Sequence, residues 1–405
     1  MRESSPTRPQ RWSANTARAC ACSKASSAMP SSATSACAAT AAATCPMAKA
    51  PRPRKRRNNH ASPRPPSARA SPPMTVDLPA LKSLARAYWH ACDTGGDIAP
   101  FLADRVLWEG PKPAPEARSP AELTDGWLAP FRAAFPDLRR ETHILMAGPS
   151  SGRADGGPDG RLWVSGTGYL HGRARQPLFG IPATDRPLRL RWGEALCIED
   201  GRITEAQMLI DLIDWFEQIG RPVLPPSLGD PGIWPAPTAF DGLHHASGPE
   251  DTAQTLQLGR DLIFGGLNIF DEAALDSMGM ARFFHPNLRW YGPGGIGACF
   301  SLEEFETRHQ KPWLDSFPDR KVQDLPSLVA EGRLLAASGT AGVRATHGGL
   351  PFRGSGPGQG QPIRFSGLDW WLRTGDRFTE NWVFVDFIDL FDQLGIDLMD
   401  RMSQS

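Results

Sequence analysis

The stretch Arg377-Phe-Thr-Glu-Asn-Trp-Val-Phe-Val-Asp386, followed by Phe387-Ile-Asp-Leu-Phe-Asp-Gln-Leu-Gly395, predicts a strand that runs directly into a short helix. Alternate residues of a strand share one face, so Glu380, Trp382, Phe384 and Asp386 are expected on the same side. A similar stretch occurs earlier, as Arg202-Ile-Thr-Glu-Ala-Gln-Met-Leu-Ile-Asp211 and Leu212-Ile-Asp-Trp-Phe-Glu-Gln-Ile-Gly220. The recurrence predicts two related units in one chain.

The composition is that of a globular protein with two or three domains. The chain has 405 residues, 40% of them hydrophobic and 22% charged, and its net charge is zero. A balanced charge gives no bias toward nucleic acid or membrane surfaces, and no apolar run approaches the ~20 residues that span a bilayer. Cys92, Cys197 and Cys299 are scattered and odd in number, which is typical of reduced thiols. These features favour a cytoplasmic protein without nucleic-acid or membrane partners.

Residues 1–73 differ from the rest of the chain. They are rich in Ala, Ser, Pro and Arg, contain one acid, Glu3, and hold four of the seven cysteines. Such a composition buries too little apolar surface to fold, so the segment is expected to be a disordered extension or an overextended start before Met74. An organellar transit peptide is the alternative. The Cys20-Ala-Cys22 pair lacks the spacing of a metal site.

The remaining sequence predicts two α+β units, 74–220 and 251–405, joined by a proline-rich linker at 221–250. Features recur in the same order in both units: Trp108-Glu-Gly-Pro111 and Trp290-Tyr-Gly-Pro293, the capping boxes at Ser119 and Ser301, Phe135-Pro-Asp137 and Phe317-Pro-Asp319, and His171 and His347 before a glycine. Each unit begins with helices and ends with a hairpin, the first turning at Asp200-Gly201, a strong type I′ signal.

The register of the hairpins can be worked out from the two-residue turns. If Glu199 pairs with Arg202, then Glu194, Glu205 and Asp211 share one face. In the second unit the same counting brings together Asp369, Trp371, Glu380, Trp382 and Asp386. Carboxylates grouped against aromatic rings raise one another's pKa, which makes a general base near neutral pH.

Several competing interpretations remain at this point. The acidic face could meet solvent, or its acids could pair with Arg189, Arg344 or Arg364. Glu205 and Glu380 could be structural acceptors for loop N–H groups. A lone histidine such as His309 or His347 is more often structural than catalytic. No histidine or carboxylate spacing indicates a metal site, and Gly354 to Gly360 lacks the ending of a phosphate-binding loop.

The ordered series of motifs resembles the SnoaL-like polyketide cyclases of the nuclear-transport-factor-2-like superfamily, over residues 78–220 and again over 255–397. The resemblance implies two tandem cone-shaped α+β barrels, each with a curved antiparallel sheet wrapped by helices around a pocket. It also implies ring closure of a carbonyl metabolite by aldol chemistry, without metal or cofactor. The base implied by position is Asp386, or Asp211 in the first unit.

The expected site is built around that base. Glu380 and Asp369 would tune or orient it, while Trp371, Trp382 and Trp290 would shape an apolar pocket. His347 or His309 would donate a hydrogen bond to an enolate. Glu205 and Glu194 are the matching pocket residues of the first unit. The substrate would be a small molecule, and the two units would pair within the chain; a homodimer is also considered. Hydrolysis or dehydration in the same pocket, or non-catalytic binding, are the alternatives.

Overall fold

The computed structural model describes residues 76–243, 248–269, 278–339 and 342–405. The predicted extension at 1–73 and the linker pair His244-His245 lie outside these ranges. The α-helices are α1 Leu78–Thr94, α2 Pro120–Leu123, α3 Ala129–Ala134, α4 Leu212–Gln218, α5 Pro249–Arg260, α6 Leu302–Phe305, α7 Lys311–Ser316, α8 Phe387–Gln393 and α9 Leu398–Gln404. The strands are β1 Leu102–Glu109, β2 Arg139–Pro149, β3 Leu162–Gly172, β4 Leu188–Glu199, β5 Arg202–Ile210, β6 Phe284–Tyr291, β7 Ala298–Cys299, β8 Lys321–Val322, β9 Ser327–Glu331, β10 Leu334–Ser338, β11 Val343–His347, β12 Gln361–Phe365, β13 Gly367–Thr374 and β14 Arg377–Val385.

The first half of the described chain forms one sheet with helices against it. Its strand order is β1-β5-β4-β3-β2, with β1 parallel to β5 and the other pairs antiparallel. The predicted turn of the β4–β5 hairpin is present, because Asp200 and Gly201 both have positive φ, at 49° and 73°. Positive φ at both central positions is what a type I′ turn requires.

The second half repeats this order of elements but breaks its sheet in two. The larger sheet runs β7-β6-β14-β13-β10-β9, and a separate three-stranded sheet runs β12-β11-β8. The long strand β2 thus corresponds to the two shorter strands β8 and β9, 182 residues further on. These interruptions lie beside the cavity described below, where Leu325, Gly339 and Ser366 are lining residues.

The predicted α+β class is confirmed, with one difference in the sheets. Among the described strands neither large sheet closes into a barrel, since each ends in edge strands without a further partner. None of the described helices combines the length and the apolar character needed to cross a bilayer.

The predicted hairpin register is wrong beyond the turns. The pairs Glu199–Arg202 and Thr374–Arg377 are as expected, but Cys197 then pairs with Glu205, and Leu372 with Glu380. A β-bulge at the intervening threonine of each hairpin inserts one residue and shifts the register by one. Because side chains alternate, this single shift moves Glu380 to the face opposite Asp369.

The two large sheets pack against each other through the faces that carry Glu205 and Glu380. An apolar cluster fills this interface with side chains from both halves: Ile144, Met146, Trp163, Ala195, Cys197 and Leu209 from the first, and Val329, Leu334, Ala336, Leu368, Trp370, Leu372, Trp382 and Phe384 from the second. The sheets approach so closely that a Cβ on Gly193 would lie 2.5 Å from the Trp370 ring. Trp370 is fully buried there. The faces left free for a pocket are therefore the opposite ones.

Candidate functional site

A cavity of about 180 Å³ lies in the second half, between the concave side of β13 and β14 and the helices that cover it. Its walls are mainly aromatic and aliphatic, with Trp290, Trp371 and Phe305 among them. Six polar or charged side chains interrupt this apolar surface: His309, Gln310, Arg320, Ser366, Asp369 and Asn381. A largely apolar pocket with a few polar groups is the usual form of a small-molecule site.

Asp369 is the acidic side chain of this cavity. It lies on β13 opposite Val383 of β14 and on the concave face with Trp371, and the bulge in β14 brings Asn381 to the same face. The side-chain amide of Asn381 donates to Asp369 Oδ1 at 3.3 Å and to the carbonyl of Trp370 at 2.9 Å. Burial raises the pKa of Asp369 to about 7, and the Asn381 hydrogen bond opposes this in part. At neutral pH the carboxyl therefore both accepts and donates protons.

The raised pKa of Asp369 predicts a pH-dependent stability. The folded chain holds this proton more tightly than the unfolded chain, so stability is greatest below the ordinary aspartate pKa and falls as pH rises through about 7. Compared with Asp369→Asn, the wild type should lose about 1–3 kcal/mol of unfolding free energy between pH 5 and pH 8. Urea titrations of both proteins at the two pH values measure the difference. A constant difference would show that Asp369 ionises normally.

His309 and Gln310 lie on a π-helical turn, Glu306–Gln310, between α6 and α7. The His309 ring stacks on Trp290 with centroids 4.1 Å apart. Burial, aided by the nearby cation of Arg320, lowers the pKa of His309 to about 3, so the imidazole is neutral and one ring nitrogen carries a hydrogen. Gln310 Oε1 is buried without a hydrogen-bond partner among the described residues. Both side chains thus keep polar atoms available to a ligand.

The equivalent space in the first half is almost closed, at about 20 Å³. Trp127 occupies the position of His309, 182 residues earlier, and Trp192 that of Gly367, 175 residues earlier. Glu194 is equivalent to Asp369 and also has its pKa raised to about 7 by burial, but its Oε2 accepts a 2.6 Å hydrogen bond from the Trp89 indole. The predicted pocket residue Glu194 is therefore enclosed by tryptophans.

Asp386 and Asp211, the bases implied by resemblance, are helix caps outside both cavities. Asp386 Oδ1 accepts from the N–H of Asp389 at 3.0 Å, and Oδ2 from the N–H of Lys112 in the first half at 2.9 Å. Asp211 mirrors it, accepting from Asp214 at 3.1 Å and from Gly294 in the second half at 2.8 Å. Each aspartate thus begins a helix and ties it to the other half. Burial raises the pKa of Asp386 to about 6.

Three residues of the predicted site, Glu205, Glu380 and Trp382, lie on the interface side of the sheets. Glu380 accepts hydrogen bonds from the backbone and hydroxyl of Thr238 in the linker, and Trp382 Nε1 donates to the carbonyl of Pro235 at 2.8 Å. Glu205 pairs with Arg161 at 2.7 Å. The Glu380 contacts are those of the structural alternative, acceptance from a loop N–H, whereas Glu205 forms an ion pair with an arginine.

Of the four remaining predicted residues, three line the cavity and one lies in the three-stranded sheet. Trp290, Trp371 and His309 line the cavity together with Asp369, as the expected pocket requires. His347 does not line it: it is buried in the three-stranded sheet against Phe317, with ring centroids 5.4 Å apart. Neither His347 ring nitrogen has a hydrogen-bond partner among the described residues.

Gln310, Arg320 and Asn381 line the cavity but were not among the predicted site residues. A signal for the first two was present in the sequence. Where the first half has Leu128 and Leu138, the second half has Gln310 and Arg320, at the same offset of 182 residues. Replacement of core residues by polar ones in only one of two similar units indicates a site in that unit. Asn381 was not predicted because the unrecognised β-bulge changes the face of the sheet on which it lies.

Residues 85–206 match the family model described as the SnoaL-like domain. Solved structures similar to part of the chain include AclR, a proposed hydroxylase from Streptomyces galilaeus, with 21% identity, 36% of this chain and 86% of that chain covered, and a TM-score of 0.29. A proposed SnoaL-like polyketide cyclase from Jannaschia sp. has 16% identity over 37% of this chain and 97% of that chain, with a TM-score of 0.32. IdmH, a proposed polyketide cyclase from Streptomyces antibioticus, has 18% identity over 34% and 96%, with a TM-score of 0.28. No curated protein matches the sequence significantly.

Proposed function

Because residues 85–206 form a SnoaL-like domain, we propose that residues 251–405 are a second, diverged copy and that this copy holds an active site of cyclase or isomerase type. The two halves share the order of their elements, their bulged hairpins and their capping aspartates. The first copy would serve as a closed structural partner, since tryptophans fill its interior. The second has the open cavity.

The proposed reaction begins with proton abstraction beside a carbonyl. The ionised Asp369 carboxylate takes a proton from the carbon next to the carbonyl, and the electron pair of that C–H bond moves onto the carbonyl oxygen as an enolate. A hydrogen bond donated by neutral His309 or by the Gln310 amide stabilises the charge that develops on the enolate oxygen. The enolate carbon then attacks a second carbonyl to close a ring, and the alkoxide formed there takes up the proton that Asp369 removed. In a conjugated substrate, Asp369 instead returns the proton to another carbon of the enolate to give an isomer.

One observation carries this proposal: a carboxyl with a pKa of about 7 faces a mainly apolar cavity. A general base works best when its pKa lies near the operating pH. The side chain is half-buried, and the cavity that it lines gives a ligand access to it. Such a group is available to a bound molecule while shielded from most solvent.

Proton exchange tests the proposal without knowledge of the natural substrate. Phenylacetone has one aromatic ring and a methylene group activated by a ketone, and its protons exchange slowly in neutral D₂O. We expect the protein to accelerate their loss from the proton NMR spectrum, because Asp369 removes them reversibly. Binding without any acceleration would contradict the base role and favour a non-catalytic binder. Incorporation of labelled water into a cleaved product would favour the hydrolase alternative, and loss of water from a hydroxylated substrate would favour the dehydratase alternative.

A further inference from the structure

We propose that the cavity takes a small carboxylic acid, with Arg320 binding the carboxylate of a ring-sized carbonyl compound. This proposal rests on the proposed function, which places the reacting carbon beside Asp369. The ligand class is inferred from a different part of the cavity, the surroundings of Arg320. It assigns Arg320 as a specificity-determining residue rather than a proton-transfer group.

Among the residues that the structure describes, the charge of Arg320 has no carboxylate partner. Its Nη2 donates to the carbonyl of Leu267 at 2.7 Å and lies 3.8 Å from the sulfur of Met278. Its Nε is buried and unpaired, and Nη1 makes no hydrogen bond to any described residue. Two of the three guanidinium nitrogens are thus left for another acceptor. No carboxylate lies within ion-pair distance among the described residues.

The described lining of the cavity offers Arg320 no ion-pair partner. Asp369 is the acidic side chain among these lining residues, and its pKa is set by burial and by the Asn381 hydrogen bond, not by the charge of Arg320. Burial lowers the pKa of Arg320 to about 10, so the guanidinium is still charged at neutral pH. Uncompensated buried charge is costly, and an anionic ligand group would relieve that cost. The acid and the cation would then hold different parts of one ligand.

The first half provides an internal comparison. There the buried arginine that lines the small cavity is Arg140, and Asp93 from α1 receives two hydrogen bonds from it, both 2.8 Å long. The position equivalent to Arg320 is Leu138, and the position equivalent to Arg140 is Val322. The closed half thus supplies a carboxylate for its arginine from within the chain. In the open half the arginine lies two residues earlier in the motif, and no described residue supplies a carboxylate for it.

The size of the cavity limits the ligand. An apolar cavity of about 150 Å³ holds one benzene ring. At about 180 Å³ this cavity fits a ring-sized body with a few further atoms. A guanidinium prefers planar, two-oxygen anions, and a carboxylate matches both this geometry and the available space. The ligand class that follows is a compact keto acid.

Phenylpyruvate and phenylacetone test the proposal, since both carry a ring and a ketone-activated methylene group but only the first has a carboxylate. Calorimetric titration at pH 7 should give a Kd for phenylpyruvate at least about tenfold lower than that for phenylacetone. Arg320→Leu, which installs the residue of the first half, should abolish this preference while phenylacetone binds as well as before. Arg320→Lys should keep part of it. Arg364→Leu, at an exposed arginine on β12, should leave the preference intact.

Equal affinities in the wild type, or a preference that survives Arg320→Leu in a normally folded variant, would overturn the proposal. Circular dichroism and thermal unfolding establish the fold of each variant. The proposed proton transfer is tested independently of the ligand class. Phenylacetone has no carboxylate, so its proton exchange depends on Asp369 and not on Arg320. Exchange without a carboxylate preference would refute the ligand class alone. A preference without exchange would refute the catalytic role alone.

Discussion

Asp369→Asn should lower the rate of phenylacetone proton exchange by about 10²–10⁴-fold, the usual contribution of a positioned general base, while the Kd for phenylacetone should change little. The amide cannot accept a proton at neutral pH, yet it has nearly the shape of the carboxyl. The hydrogen bond from Asn381 can be kept if the carbonyl oxygen of the new side chain takes the place of Oδ1. The loss should therefore appear in the catalytic rate and not in binding.

The pH profile of the wild type gives a second check on the same assignment. Only the ionised form of Asp369 abstracts a proton, so the rate should rise with pH and level off above an apparent pKa of about 7. Asp369→Asn should lack this rise. A profile with its midpoint near 4 would mean that the base is a solvated carboxylate elsewhere.

Asp386→Asn separates this assignment from the one implied by family resemblance. Asparagine still accepts the N-cap hydrogen bond from Asp389 through its one side-chain oxygen, so the fold should be retained although the bond from Lys112 is lost. Because the Asp386 carboxylate is occupied by two backbone N–H groups and does not line the cavity, its replacement should leave the exchange rate near that of the wild type. Loss of exchange in Asp386→Asn with full activity in Asp369→Asn would reverse the two roles.

The contrast between Asp369 and Asp386 shows which features of the structure could be predicted from the sequence and which could not. Periodicity, capping boxes and the type I′ turn predicted the strands, the helices and the recurrence of elements, because these signals are local. The bulges at Thr204 and Thr379 left no such signal, since threonine is an ordinary strand residue. One unrecognised inserted residue was enough to group Glu380 with Asp369, when the two lie on opposite faces of the sheet.

The location of the cavity was predictable in principle from the two halves together. His309 in place of Trp127 and Gly367 in place of Trp192 remove large side chains from one interior only. What the sequence did not reveal is that the opposite sheet faces pack on each other. That packing depends on contacts such as Trp370 against Gly193, between residues far apart in the chain. It explains why acids on the interface face became structural acceptors.

The second large effect is expected on stability, at the two capping aspartates. Asp211→Ala should cost about 3–5 kcal/mol of unfolding free energy, and Asp386→Ala about 1–2 kcal/mol. Both variants lose an N-cap and one hydrogen bond to the other half. Only Asp211 also pairs with a buried cation, because Arg191 Nη1 lies 3.3 Å from its Oδ2. The residue equivalent to Arg191 in the second half is Ser366.

Urea denaturation of the two alanine variants measures this difference, and a double variant identifies its cause. In Asp211→Ala the guanidinium of Arg191 stays buried against the Phe384 ring, 4.6 Å from its centroid, without a counter-charge. Adding Arg191→Met removes that charge and fills the space with an apolar side chain. The double variant should therefore be more stable than Asp211→Ala alone, since an unpaired buried ion costs more than the loss of the whole pair. If Arg191→Met instead adds its own cost to that of Asp211→Ala, the carbonyl contacts of Arg191 to Gly292 and Val383, and not its charge, hold the two halves together.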